Sequence, residues 1–281
     1  MNIFFIISVA RSGSTAISSI CSEAQNCQCE VEPWGITKVM TRQLMDGKLK
    51  DPTPWIQKIM RPVVKKKLKK VEVYGEKDPV YAPFIPFFYD VFKCKFIFLT
   101  RDGRDVVKSM INWHTQKSGL YYVECKETEI LREKAKKNVN KYRKHKMIKY
   151  LPDYARPRPL EGDPLYNKWK NLSRLEMCAF YWSKINEICL EGLKNIPENK
   201  QLRIDLSSPD PSKKVNKMVD FLGLKGLSKD TIDSFLKGKI NSLTYRGHPE
   251  GNFPHWSKWN KKTTKKFYNI AGGMMTKLGY V

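Results

Sequence analysis

The opening stretch of this chain restricts its fold more than any other segment. Ile3–Val9 reads Ile-Phe-Phe-Ile-Ile-Ser-Val, an apolar run rich in β-branched and aromatic residues, as long as a parallel strand covered on both faces. Arg11-Ser12-Gly13-Ser14-Thr15 follows and leads into a helical stretch, Ala16–Ser22. Strand, Gly/Ser turn and helix in that order form the context in which backbone N–H groups at a turn and a helix start converge on an anion. The loop has no lysine after its glycine, so it does not read as the GxxxxGK[ST] loop of nucleotide triphosphatases. A turn that merely opens an ordinary helix remains the plainer alternative at this point.

The same alternation recurs downstream. A second strand is expected at Val71–Tyr74, ending in Gly75-Glu76-Lys77-Asp78-Pro79, and a third at Lys95–Thr100, which is apolar along its length. Arg101-Asp102-Gly103-Arg104-Asp105 and a helix over Val106–Trp113 come next, so the strand's C-terminal edge and the following helix border one crevice. A long amphipathic helix at Leu172–Leu193, a strand at Gln201–Leu206 and a helix at Pro211–Leu222 closed by Gly223 complete the pattern. This predicts an α/β fold with a P-loop-like parallel sheet flanked by helices on both faces, in a single domain spanning 1–281. Residues 115–170 are basic and contain Pro152, Pro157, Pro159 and Pro164, and they read as an insertion or lid.

Charge narrows the partners without choosing among them. Lys and Arg number 52 against 28 Asp and Glu, a net charge of +24, which favours anionic partners: nucleic acid, acidic polysaccharide, anionic lipid or a phosphorylated cofactor. The plain reading of Lys65–Lys70 and Lys134–Lys149 is a solvated helix face. No apolar run has the eighteen or more residues of a membrane span. The apolar start lacks a positive n-region and runs into a loop rather than a cleavage site. Seven cysteines include no matched CxxC pairs, and no His/Cys/Asp cluster has metal-ligand spacing. The expectation is a soluble, cytoplasmic protein with free thiols, no metal, no signal peptide and no membrane anchor.

Several segments carry a family resemblance. Arg11–Thr15 resembles the 5′-phosphosulfate loop of sulfotransferases that use 3′-phosphoadenosine 5′-phosphosulfate (PAPS), above all the Golgi-type carbohydrate and tyrosylprotein branches. Lys95–Met110, KFIFLTRDGRDVVKSM, is similar to the family's 3′-phosphate segment, which implies that Arg101 and Ser109 bind that phosphate. The chemistry is sound: a guanidinium fork matches phosphate oxygens, and a serine two turns into the helix adds a hydroxyl donor. The alternative is a surface ion pair of Arg101 or Arg104 with Asp102 or Asp105.

Glu32, in Glu30-Val31-Glu32-Pro33-Trp34, stands twenty-one residues after Arg11 and resembles the branches' general base. A carboxylate in reach of an acceptor hydroxyl can take its proton as the S–O bond forms. Glu30 is the competitor. Lys77 resembles the family's strand-end lysine, which contacts the sulfuryl group and the leaving oxygen. Cytosolic relatives place a histidine two residues after that lysine, where this chain has Pro79, which argues for a glutamate base. His255-Trp256-Ser257-Lys258-Trp259 looks like the tyrosylprotein branch's closing segment, making Lys258 a phosphate contact, with Thr244 or Ser242 as a further one.

The resemblance covers 4–34, 74–113, 175–224 and 255–280. It implies sulfuryl transfer from PAPS, leaving PAP, to an acceptor hydroxyl on a carbohydrate or on another glycan-like or tyrosine-containing substrate. Arg11, Glu32 and Lys77 would be catalytic, and Arg11, Ser12, Gly13, Ser14, Thr15, Arg101, Ser109, Lys258 and Thr244 would hold PAPS. The basic stretches suggest an anionic glycan or an acidic peptide as acceptor. Two rivals stand beside this reading. A P-loop-like nucleotide kinase would need ATP and Mg²⁺, and the missing loop lysine counts against it. A non-enzymatic binder of nucleic acid or anionic glycan would rest on Lys141-Tyr142-Arg143-Lys144-His145-Lys146; nucleic acid is not the expected partner.

Overall fold

The computed structural model describes residues 2–115, 156–238 and 251–281. Five strands form one sheet: β1 (Ile3–Ser8), β2 (Cys27–Val31), β3 (Val73–Lys77), β4 (Lys95–Thr100) and β5 (Gln201–Asp205), in the order β2-β3-β1-β4-β5. Every pairing is parallel, with Ile6 opposite both Lys77 and Ile97, Val31 opposite Lys77, and Thr100 opposite Asp205. The C-terminal ends of all five strands therefore lie along one edge. From β1 the chain visits β2 and β3 on one side and then β4 and β5 on the other. The loop after β1 thus sits at the topological switch point, where such sheets bind ligands.

The chain divides into two compact units, residues 1–101 with 185–245, and residues 102–184 with 246–281. The first contains the whole sheet. Every residue of β1 is buried, and successive side chains go to opposite faces. On the face of Phe4 and Ile6, the core takes in Ile17, Ile20 and Cys21 of α1 (Ser14–Glu23), Val215, Met218 and Leu222 of α8 (Pro211–Leu222), and Ile232 of α9 (Lys229–Lys237). On the other face, the Phe5 ring stacks on Phe88 of α5 (Ile85–Phe92) at 4.2 Å, and Tyr81 and Phe84 pack edge-on or stacked beside it. Helices thus cover both faces, as the sequence predicts. Between β2 and β3 lie α2 (Thr37–Met45), α3 (Thr53–Trp55), a π-helical turn at Ile56–Met60 and α4 (Arg61–Lys67).

The second unit is built around aromatic contacts. Gly103 opens α6 (Gly103–Thr115) against the buried Trp182 of α7 (Arg174–Leu193), where a Cβ would come within 2.8 Å of the indole. Phe267 of α10 (Lys261–Lys277) is fully buried, with Trp259 at 5.4 Å. No helix of the described residues is long and apolar enough to cross a membrane. The six described cysteines are free and buried.

Two departures from the sequence reading matter for the site. The second strand runs over Val73–Lys77 rather than Val71–Tyr74, so Gly75, Glu76 and Lys77 are buried strand residues, not a polar terminus. Strand β2 was not anticipated: in Cys-Gln-Cys-Glu-Val the cysteines face inward and Gln28 and Glu30 are half-buried, a two-residue alternation that thiols make hard to see. The basic 116–155 part of the expected insertion lies outside the described residues.

Gly75 marks the tightest packing in the sheet. A Cβ there would lie 2.1 Å from the fully buried Phe4 ring. Gly75→Ala is expected to destabilise the chain by about 3 kcal/mol, the upper end of the usual overpacking cost. A lowered urea midpoint with an unchanged m value would show it.

Candidate active site

The loop after β1 combines left-handed backbone with an uncapped helix start. Arg11 and Gly13 both take positive φ, 71° and 90°. A Cβ on Gly13 would fall 2.6 Å from Leu206 Cδ1, so both conformation and space ask for glycine. The Gly13 carbonyl accepts from Ala16 N (3.0 Å) and Ile17 N (3.3 Å), which starts α1. No side chain caps α1 and no acidic residue sits in its first turn. No acidic residue of the helix's own first turn offsets its positive end at Ser14 and Thr15. Ser12 Oγ is buried and has no hydrogen-bond partner among the described residues. From the end of β4, Arg101 Nη1 donates to the Arg11 carbonyl at 3.4 Å, tying the two strand ends together.

On the other side of β1 from β4, β2 and β3 end in an ion pair. Lys77 Nζ donates to Glu32 Oε1 at 3.1 Å, and Lys38 Nζ approaches Oε2 at 3.7 Å. The Glu32 backbone N–H donates to the Lys77 carbonyl at 2.8 Å, and Glu32 takes a φ of 51°, a conformation that is rare outside glycine and clusters at functional positions. The Lys77 side chain is only 5% exposed whereas Glu32 is 40% exposed. The pair therefore sets a buried cation against a part-exposed carboxylate. Glu30, the competing carboxylate, is held by Lys67, by Gln28 Nε2 at 2.7 Å and by the Tyr74 hydroxyl at 2.9 Å.

Two further carboxyls, Glu76 and Asp78, flank Lys77 in sequence and were missed by the sequence reading. Glu76 is fully buried, and desolvation pushes its pKa up to about 7 against the pull of donors from Tyr81, Trp34 and Tyr74. Asp78 is 1% exposed; burial and the nearby Glu32 charge raise it to about 7, although Val80 N donates to its Oδ1 at 3.1 Å. Both stand in Gly75-Glu76-Lys77-Asp78-Pro79, whose polarity reads as a surface turn. The available signal was the apolar and aromatic run that follows, Val80-Tyr81-Ala82-Pro83-Phe84, which buries the segment's far side.

The second unit carries the other expected contacts. Ser109 is half-buried on α6, and Lys258 is exposed on a 3₁₀ turn, Trp256–Lys258. Arg104 makes one of the ion pairs considered as an alternative: its guanidinium bonds both Asp102 oxygens, at 2.9 Å and 2.5 Å. It also stacks 4.0 Å from the Trp256 ring and reaches the Tyr268 hydroxyl at 3.2 Å. Thr244 and Ser242 lie outside the described residues.

Comparison with known proteins bears on this geometry. The sequence matches the family model described as a sulfotransferase domain over residues 2–267. No curated protein matches it. Among solved structures, the chain is similar to a sulfotransferase from Alicyclobacillus acidocaldarius at 13% identity, covering 98% of this chain and 93% of that one, with a TM-score of 0.49. The sulfotransferase domain of the Synechococcus PCC 7002 olefin synthase matches at 14% identity, 97% and 94% coverage and a TM-score of 0.49. A mouse sulfotransferase complexed with PAP matches at 14% identity, 97% and 83% coverage and a TM-score of 0.47. The family match runs from β1 into α10, and the chain belongs to the sulfotransferase domain family, PAPS-dependent enzymes that transfer a sulfuryl group to an acceptor hydroxyl.

Proposed function

We propose that this chain transfers the sulfuryl group of PAPS to a hydroxyl of a carbohydrate, or of another glycan-like or tyrosine-containing acceptor, with Glu32 as general base. The observation that carries the reading is the Lys77–Glu32 pair, 3.1 Å apart, with its cation buried and its carboxylate open. An anionic sulfuryl donor suits the residues present: the buried Ser12 hydroxyl without a partner among the described residues, the uncapped start of α1 and the buried Lys77 cation all ask for negative charge.

PAPS supplies an activated sulfuryl group and departs as PAP. The chain does the rest by positioning and charge. The Ser12 hydroxyl and the backbone donors from Gly13 through Thr15 hold the 5′-phosphate. Arg101 and Ser109 hold the 3′-phosphate, with Lys258 and Thr244 as further contacts; Ser109, Lys258 and Thr244 rest on the family resemblance alone. Glu32 accepts the proton of the acceptor hydroxyl. Lys77 and Arg11 stabilise negative charge on the sulfuryl oxygens and the leaving phosphate.

An anionic glycan or an acidic tyrosyl peptide is the acceptor that the net charge of +24 favours. Lys65, Lys66, Lys69 and Lys70 are exposed and free to serve this, whereas Lys67 is engaged by Glu30. Calorimetric titration with PAP, 5′-AMP and Mg-ATP tests the assignment. PAP should bind roughly 10- to 100-fold more tightly than AMP, since a charge-assisted contact is worth about 1.5–3 kcal/mol. A preference for Mg-ATP, or no nucleotide binding, would overturn it.

A further inference from the structure

One residue before Lys77 in β3, the hydrogen bonds around Glu76 do not balance if every carboxyl is ionised. The Tyr74 hydroxyl lies 2.9 Å from Glu30 Oε2 and 2.9 Å from Glu76 Oε1. A phenol has one hydrogen, so it can serve only one of these contacts. Between two carboxylates, the other contact would set lone pair against lone pair. Glu30 is the ionised member, because Lys67 binds it directly. The missing hydrogen therefore belongs on Glu76.

With that hydrogen in place every group is satisfied. Glu76 Oε1–H donates to the Tyr74 oxygen, and Tyr74 donates to Glu30. Glu76 Oε2 then accepts from the Tyr81 hydroxyl at 2.6 Å and from Trp34 Nε1 at 3.0 Å. Trp34 is the link to the site. Its carbonyl accepts from Thr37 N (3.2 Å) and from Thr37 Oγ1 (2.5 Å), which starts α2, and its ring packs edge-on against Trp55 at 5.6 Å. The turn Glu32-Pro33-Trp34 is thus pinned at one end by the bond from Glu32 N to Lys77 O and at the other by the indole on Glu76.

We propose that Glu76 is a positioning residue that works as a carboxylic acid: its proton completes the Glu76–Tyr74–Glu30 chain and so fixes the place of the carboxyl to which Trp34 is bonded, which holds the strained turn that presents Glu32. Its catalytic meaning rests on Glu32 being the general base. Burial supports the protonated state, since desolvation lifts the Glu76 pKa to about 7. The titratable and charged groups around it are Glu30 and Cys29 on β2, Tyr74 and Lys77 on β3, and Tyr81 after β3, with Lys67 of α4 reaching Glu30 from behind. Above that pH the bridging proton is lost and one 2.9 Å contact becomes repulsive, so the Glu76 carboxyl, and the Trp34 indole bonded to it, move away from Tyr74.

The test is a pH titration of the full chain labelled with [5-¹³C]glutamate, followed by NMR without any nucleotide or acceptor. One glutamate carboxyl should titrate with a midpoint near 7 and disappear from the spectrum of Glu76→Gln. The Glu32 resonance, assigned with Glu32→Gln, should show a second inflection at the same midpoint, and Trp34→Phe should abolish that inflection while leaving the Glu76 titration. Glu30→Gln lets the amide donate to Tyr74, so Tyr74 can donate to an ionised Glu76; the midpoint should then fall below that of the unchanged chain, while burial keeps it above the ordinary glutamate value of about 4.3. This variant identifies the group even if Glu76→Gln does not fold. A Glu76 midpoint in the ordinary range, no inflection at Glu32, or an inflection that survives Trp34→Phe would each overturn the proposal. None of these readouts depends on turnover, so failure of Glu32 as the base would appear separately, as full activity in Glu32→Gln.

Discussion

Glu32→Gln is expected to lower turnover by roughly 100-fold or more while leaving PAP affinity nearly intact, the usual size of a general-base contribution. The amide keeps the shape of the side chain and an oxygen for Lys77 Nζ, which lies 3.1 Å from Oε1. It cannot take a proton. The backbone tie from Glu32 N to the Lys77 carbonyl does not involve the side chain, so the turn should survive the change. A loss confined to the chemical step follows, read as a fall in kcat with unchanged calorimetric PAP binding. Full activity would place the base elsewhere, and Glu30 would be the next carboxylate to examine. Its contacts with Lys67, Gln28 and Tyr74 make it the poorer candidate, since each occupies a lone pair a base would need.

How much of this was legible beforehand depended on where burial is written in the sequence. The β1–loop–α1 unit, β4 and α8 with its Gly223 cap could be read because their apolar periods and turn residues act locally. Four residues of the candidate site, Arg11, Glu32, Lys77 and Arg101, stand at or just after strand ends of one parallel sheet, and the family resemblance of their segments singled them out. Glu76 escaped because its burial is set by partners far along the chain: Trp34 lies 42 residues before it in sequence, and only the parallel register of β2 on β3 brings their segments together. Hydropathy assigns such a carboxyl to the surface. Only the folded hydrogen-bond pattern shows that it is inside and short of one hydrogen. The same limit applied to β2, whose cysteines pack as small apolar groups but carry little strand signal.

Lys77→Met should reduce turnover by about 100- to 1000-fold, the cost of deleting one preorganised group that stabilises charge in the transition state. The argument turns on where the charge sits. Lys77 lies in β3 between Ile6 of β1 and Val31 of β2, with its side chain 5% exposed, so the sheet has already met the cost of fixing the ammonium before any substrate arrives. Methionine fills nearly the same space, and the partner carboxylate left behind is 40% exposed and can be solvated, so the fold should lose little stability. Turnover and stability should therefore part company, with kcat collapsing while the urea midpoint stays within the range of an ordinary substitution. If the midpoint fell in step with kcat, Lys77 would be a structural ion pair; if PAP affinity fell while kcat held, the cation would belong to phosphate binding alone. Lys77→Arg sharpens the choice. It keeps the positive charge but replaces a compact ammonium with a wide planar fork inside a packed sheet, so partial recovery of turnover would show that charge is what matters, and no recovery would show that its placement matters equally.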